Sequence, residues 1–255
     1  QNAKAQNFGN EWINYNQTYY KFAVDTDRVY RLPISSLTAL GMPNNVQGEN
    51  LQVFRDGVEV PIFVSNSGAL GANDYIEFYG TRADGKVELP LYKSANVQMN
   101  PKQNSISDTA FYFVTFNNLN TNKRFVFQQN NLVNPPLKET YFMDVTQAQY
   151  RNYFSGGISY IGKDVQPTAL YQYSSQYDTS EGYCKTPSSL KDSVSVICKY
   201  PFNIVGGPSA TFKTTVVGNS YIVSHKLKIH ANSNEIKDVS FLDLQNVKIS
   251  EAVPM

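Results

Sequence analysis

Residues 51–64 read LQVFRDGVEVPIFV. Asp56 and Gly57 stand between two runs of apolar and alternating side chains. Asp-Gly readily takes the positive φ values of a two-residue turn between twisted antiparallel strands, so the stretch is predicted to form a β-hairpin. Pro61 has no backbone donor, which places its strand at a sheet edge or at a bulge. A chain assembled from such units is all-β, and the same pattern extends on both sides.

Towards the N-terminus, YYKFAV and RVYRLPI flank Asp25-Thr26-Asp27, a polar break suited to another hairpin turn. SSLTALGMP predicts one short helix, capped by Ser35 or Ser36, ended by Gly41 and prevented from continuing by Pro43. Towards the C-terminus, DYIEFYGTRADGKVELPLY predicts a hairpin turning at Asp84-Gly85. DTAFYFVTFNNLNTNKRFVFQQ predicts a further strand pair around an Asn-rich loop. NLVNPPLKE, with Pro135 and Pro136, carries no strand pattern and reads as a linker. It divides a hairpin-rich β domain over residues 1–134 from a β-sandwich-like or jelly-roll-like domain over 135–255, whose completeness at its C-terminal end stays open. In that second part YFMDVTQAQYRNYF suits strand or helix, whereas SVSVICKYPFNIV, ATFKTTVV, SHKLKIHA, KDVSFLDL and NVKISEAV read as short strands.

The composition restricts function. Of 255 residues, 41% are hydrophobic and 13% aromatic, with 18 Tyr and 15 Phe, enough to build a core. Only 17% are charged, 22 basic against 21 acidic, so no field exists to attract nucleic acid or an anionic membrane. No stretch approaches the ~20 apolar residues of a transmembrane helix. Asn, Thr, Ser and Gln supply the polar surface, a composition typical of extracellular β-proteins. The chain starts at Gln1 without Met, which is read as a mature end left by signal-peptide removal or as a trimmed end. The expected localisation is therefore secreted or cell-surface, and no cofactor is expected.

Candidate chemistry is sparse. On a strand through DYIEFYG, Tyr75, Glu77 and Tyr79 share one face and Ile76 and Phe78 the other. Glu77 then either accepts hydrogen bonds from neighbouring Tyr or Arg side chains, or joins a sugar-binding platform of Tyr75 and Tyr79. Acid–base work on a sugar needs a second carboxylate across a cleft, and neither Asp74, Asp84 nor Glu88 is suitably placed along the strand. The aromatic-rich stretch over residues 153–178, including Tyr160, Tyr171 and Tyr173, is either a ligand- or protein-binding face or a loop packing onto the first domain. Cys184 and Cys198 are expected to form one disulfide in an oxidising compartment, the alternative being two inert thiols. His225 and His230 fall on opposite faces of one strand, which argues against a Cys–His dyad. No metal ligation is expected: the Cys and His spacing is not that of a zinc site. Asp25 with Asp27, and Asp238 with Asp243, lack calcium-loop spacing.

Taken in order, YYKFAVDTDRVYRLPISSLTALGMP, LQVFRDGVEVPIFV, DYIEFYG, ADGKVELPLY and DTAFYFVT resemble the region ahead of the catalytic domain in gingipain-like cysteine peptidases. That architecture also occurs in the sortase-like peptidase of the type IX secretion system. The resemblance covers roughly residues 12–116 and continues more weakly through YDTSEGY (177–183) and HKLKIHANSNEI (225–236). At these two places the family tends to a Gly-Glu-Gly-Trp-like stretch and an Asn-Gly, where this chain has Ser180-Glu181-Gly182-Tyr183 and Asn232-Ser233. No alternation of strands with long helices and no His-Gly motif is present. The resemblance therefore implies a non-catalytic accessory region of a secreted surface protein, which covers, positions or helps to fold a downstream catalytic or surface domain. The alternative is a stand-alone adhesion module for a cell-surface glycan or protein.

Overall fold

The computed structural model describes residues 9–130, 132–156, 163–165, 170–172, 176–177, 179–187, 192–199, 202, 204–220 and 222–253. Strands take 38% of the chain and helices 7%, which makes the fold all-β. Two compact units form, and neither is one continuous stretch. The first joins residues 1–83 to 106–134, and the second joins 84–105 to 135–255. The passage at 134–135 falls beside the Pro-Pro linker, but residues 84–105, which the sequence pattern assigns to the first domain, belong to the second unit.

The first unit holds β1 (Tyr20–Val24), β2 (Arg28–Pro33), α1 (Ile34–Ala39), β3 (Leu51–Arg55), β4 (Val58–Val60), β5 (Phe63–Val64), β6 (Tyr75–Gly80) and β7 (Ala110–Phe116). The strands make two antiparallel sheets, ordered β1-β7-β3-β4 and β2-β6-β5. The 51–64 hairpin forms as its sequence predicts: Arg55 pairs with Val58 across a turn in which Asp56 has φ 48° and Gly57 φ 78°. β4 is an edge strand and stops at Val60, before Pro61, and the chain resumes as β5 in the other sheet.

Three other expected hairpins do not form. β1 pairs with β7 and β2 with β6, so Asp25-Thr26-Asp27 carries the chain from one sheet to the other. After β6 the segment over Asp84-Gly85 leads to a 3-10 turn at Leu89–Leu91 with Pro90 in its first turn, and β6 instead takes β2 and β5 as neighbours. RFVFQQ contributes only a parallel bridge between Arg124 and Ile62.

The inward faces of the two sheets interlock through aromatic rings. Phe78 of β6 lies 5.4 Å from Phe22 of β1 and 5.3 Å from Tyr112 of β7, and Tyr30 of β2 stacks on Phe78 at 5.7 Å. Val24, Leu51, Val53, Ile62, Ile76 and Val114 complete a water-free layer, the term that drives folding of a sandwich. In α1 the N-cap is Pro33 rather than Ser35 or Ser36, and no side chain caps it. Its other end agrees with the sequence: Gly41 takes φ 97°, Gly41 N bonds Thr38 O, and Met42 N bonds Leu37 O. This paired closure is a Schellman motif, and the buried Leu37 and Met42 occupy its hydrophobic contact positions. Arg124 secures the last stretch of the unit by donating from Nη2 to the carbonyls of Gly48, Glu49 and Leu51.

The second unit contains β8 (Tyr153–Gly156), β9 (Lys163–Val165), β10 (Leu170–Gln172), β11 (Glu181–Cys184), β12 (Ala210–Val217), β13 (Ser224–Ala231), β14 (Asn234–Leu242) and β15 (Asn246–Val253). They pair as antiparallel ribbons: β8 with β11, β9 with β10, β12 with β15, and β13 with β14. ATFKTTVV, SHKLKIHA and NVKISEAV are β12, β13 and β15 residue for residue, and β14 covers most of KDVSFLDL. SVSVICKYPFNIV behaves differently. Its residues 193–199 are exposed and carry no strand, because alternation alone makes no strand without a neighbouring edge to pair with. YFMDVTQAQYRNYF is neither helix nor strand before Tyr153. Among the described residues no helix is long and apolar enough to cross a membrane.

Candidate functional site

β6 is the middle strand of its sheet, and its period-two alternation turns Ile76 and Phe78 into the core and Tyr75, Glu77 and Tyr79 to the opposite face. Register sets their neighbours: Pro33, Arg31 and Val29 of β2 lie opposite Tyr75, Glu77 and Tyr79, and Phe63 of β5 lies opposite Glu77. Arg31 Nε and Nη2 both stand 2.8 Å from Glu77 Oε1. The same guanidinium lies 4.0 Å from the centre of the Tyr75 ring, whose other neighbour is Phe63 at 6.1 Å. Around this pair Val29 is 61% exposed, Tyr79 53% and Phe63 41%. The sheet therefore shows an apolar and aromatic surface with one internally neutralised ion pair at its centre.

Glu77 is thus a hydrogen-bond and ion-pair acceptor, one of the two roles its sequence position allows. Asp74 is equally committed. It accepts from Gly71 N at 2.7 Å and from Ser65 Oγ at 2.8 Å, and these two bonds hold its carboxyl below the usual carboxylate range. Asp74 is spent on its own loop and Glu77 on the neighbouring strand β2, and no acid–base pair assembles here.

A second arrangement lies in the other unit. Tyr92, Met99, Asn100, Gln103, Ser105, Gly182 and Tyr183 line a shallow depression. Beneath it Glu88 is buried and accepts from Ser105 N at 2.7 Å and Ser105 Oγ at 3.2 Å. Tyr92 packs on Tyr177 with ring centres 5.0 Å apart, and Phe154 meets Tyr183 edge-on at 5.1 Å. Burial pushes the phenols of Tyr92 and Tyr177 above their ordinary pKa, so both are neutral hydroxyls at physiological pH. The sequence missed this cluster because Glu88 and Tyr92 sit in a segment with a plausible local strand reading. Tyr92's partner Tyr177 lies 85 residues away in sequence and Glu88's partner Ser105 lies 17 away across irregular chain, and no local signal reports either contact.

Of the other sequence candidates, Tyr160 and Tyr173 lie outside the described residues, and Tyr171 falls in β10. The expected Cys184–Cys198 bridge is not formed. Both thiols are free, Cys184 half-buried in β11 and Cys198 exposed. Burial raises the Cys184 pKa, which keeps it a protonated and weak nucleophile. His225 stacks on Phe241 at 5.1 Å, while His230 is exposed on the far side of the same strand. Among the described residues no three His, Cys, Asp or Glu side chains gather as a metal site. Asp27 accepts from Arg82 N, Asp238 pairs with Lys226 and Lys228, and Asp243 accepts from Val223 N, which are turn and strand duties.

No protein-family model, curated protein or solved structure matches the chain.

Proposed function

We propose that this chain is a non-catalytic accessory region of a secreted, gingipain-like surface protein, and that it holds a neighbouring domain through the outer face of the β2-β6-β5 sheet. The family part of the reading rests on the order of the sequence motifs. The surface part rests on one observation: Val29, Tyr79, Phe63 and Tyr75 crowd the face of a sheet whose reverse side is already packed. An antiparallel sheet with one face in the core ordinarily turns polar residues to water on the other. Aromatic and branched apolar side chains around a satisfied ion pair have the make-up of a protein interface core with its charge already paired.

The glycan reading is less well supported by the same geometry. A sugar ring needs a free aromatic face, and the Arg31 guanidinium covers one face of Tyr75. Glu77, the natural acceptor for sugar hydroxyls, is occupied by the same arginine.

The test mixes the purified chain with a separately purified gingipain-like peptidase domain and measures binding by calorimetry. Val29→Ser with Tyr79→Ser should weaken association at least tenfold while leaving the melting midpoint nearly unchanged, since both residues are exposed. The chain alone should not hydrolyse Arg- or Lys-containing peptides. Binding that ignores the two substitutions would remove this face from the account, and turnover by the isolated chain would remove the non-catalytic reading.

A further inference from the structure

We infer that two copies of this chain pair through the free edge of β1, antiparallel about a two-fold axis at Ala23. This edge belongs to the β1-β7-β3-β4 sheet and is separate from the face argued above. An edge strand carries a row of unpaired backbone donors and acceptors, and proteins ordinarily shield it with proline, charge, shortness or covering chain. The other edges of the first unit are shielded in these ways. β4 has three residues and stops before Pro61, and Lys123 Nζ donates to the Glu59 carbonyl at 3.3 Å. β5 has two residues, and beside it Ile62 N donates to Lys123 O at 3.3 Å while Ile62 O accepts from Phe125 N at 3.0 Å. β2 carries Arg28 and Arg31 and ends at Pro33. β1 has five residues in unbroken register with β7, without proline or bulge. Among the described residues no turn, loop or side chain bonds to the backbone of residues 21–24 on the side away from β7.

The residues of that edge complement their own copy. Lys21-Phe22-Ala23-Val24-Asp25 runs from a cation through three apolar residues to an anion. Turned antiparallel on itself about Ala23, it sets Lys21 opposite the partner's Asp25, Phe22 opposite the partner's Val24 and Ala23 opposite the partner's Ala23. The members of each pair have the same parity, so backbone groups that point away from β7 meet groups that do the same. The two-fold axis makes each ion pair occur twice. Moving the axis to Phe22 would put Lys21 against the partner's Ala23 and lose both ion pairs, so charge selects the register.

Both charges are available for this. Lys21 and Asp25 are exposed, and neither has an ion-pair partner among the described residues. Lys21 Nζ rests over the Phe111 ring at 3.7 Å, and Asp25 accepts from the hydroxyl of its neighbour Thr26 at 3.1 Å. On the inner side Phe22 is half-buried at the rim of the sheet, 5.4 Å from Phe78 and 5.7 Å from Tyr112, and the partner strand covers the part left open. The contact takes only a few residues from each copy, so the dimer is weak and depends on concentration.

The experiment measures the mass of the full chain by sedimentation equilibrium from micromolar to near-millimolar concentration. The mass should rise from that of one chain to that of two. Lys21→Asp and Asp25→Lys each set like charges opposite one another twice. Each should weaken self-association at least tenfold while leaving the melting midpoint nearly unchanged. Mixed in equal amounts, the two variants should associate at least tenfold more tightly than either alone, because every opposed pair then joins a cation to an anion. The chain carrying both substitutions should self-associate as the unaltered chain does. The mass of one chain at every concentration overturns the dimer. A dimer indifferent to both single substitutions overturns the edge, and variants that fail to associate with each other overturn the register at Ala23.

Discussion

The two thiols have different surroundings, and their chemistry should divide accordingly. Cys198 is exposed, whereas Cys184 lies half-buried on β11 with its pKa raised by burial. A thiol reagent at pH 8 should therefore modify two groups without prior reduction, exposed Cys198 first and half-buried Cys184 at least tenfold more slowly. Absence of titratable thiol in denaturant would restore the disulfide expected from composition. The buried phenols give a second test. The folded pKa of Tyr92 and Tyr177 is raised, so the stability they contribute is fully present below the unfolded value of about 10 and is lost as pH rises through the higher folded value. Absorbance at 295 nm should show a late group of tyrosines that ionises only as the second unit opens. A single smooth titration of all 18 without loss of structure would contradict the burial.

At the level of elements, what the sequence made legible was local. Period-two alternation located β3, β4, β6, β7, β12, β13 and β15, and Asp56-Gly57 fixed a turn because its two residues alone satisfy the backbone demand. Pairing was not legible where it is set by distant chain. Asp25-Asp27 and Asp84-Gly85 look like hairpin turns, yet the strands before them find partners elsewhere, β1 in β7 and β6 in β2. Glu77 was readable because its face is set by alternation, while the Tyr92–Tyr177 contact depends on a segment joining chain over 70 residues downstream, and the Glu88–Ser105 contact on an irregular fold of that segment with no periodic pattern. One turn carries a residue unsuited to its backbone. Asn232 and Ser233 join β13 to β14 with φ of 49° and 73°, a left-handed pair in which Ser233 carries a side chain unsuited to that region. Ser233→Gly should stabilise the protein by about 1 kcal/mol, read as a higher denaturation midpoint with an unchanged denaturant slope. A lower midpoint would mean that the serine hydroxyl makes a contact that offsets its backbone strain.

For the whole molecule, the interleaving of the chain predicts which parts can stand alone. In the first unit Ala83 N donates to Asp108 O at 2.9 Å, so the chain leaves and re-enters at adjacent points. Residues 84–105 can then be replaced by a short Gly-Ser bridge without stretching either sheet, since closing so short a loop costs little entropy. Residues 9–134 altered in this way should fold and unfold cooperatively. Trp12 makes this measurable: it is the sole tryptophan, lies in this unit, and packs on Phe54 at 5.1 Å and Phe113 at 5.8 Å. Its emission should report the same denaturant transition in the shortened chain as in the full one. Residues 135–255 alone are in the opposite position. They lack the segment that covers Tyr177 and Gly182, which leaves the β8-β11 ribbon as an isolated two-stranded piece, a form that is marginal in water. That fragment should show no cooperative transition until a synthetic peptide of residues 84–105 is added. If 135–255 folds equally well without the peptide, or the shortened first unit loses its Trp12 transition, the two units are not interleaved in the way their contacts describe.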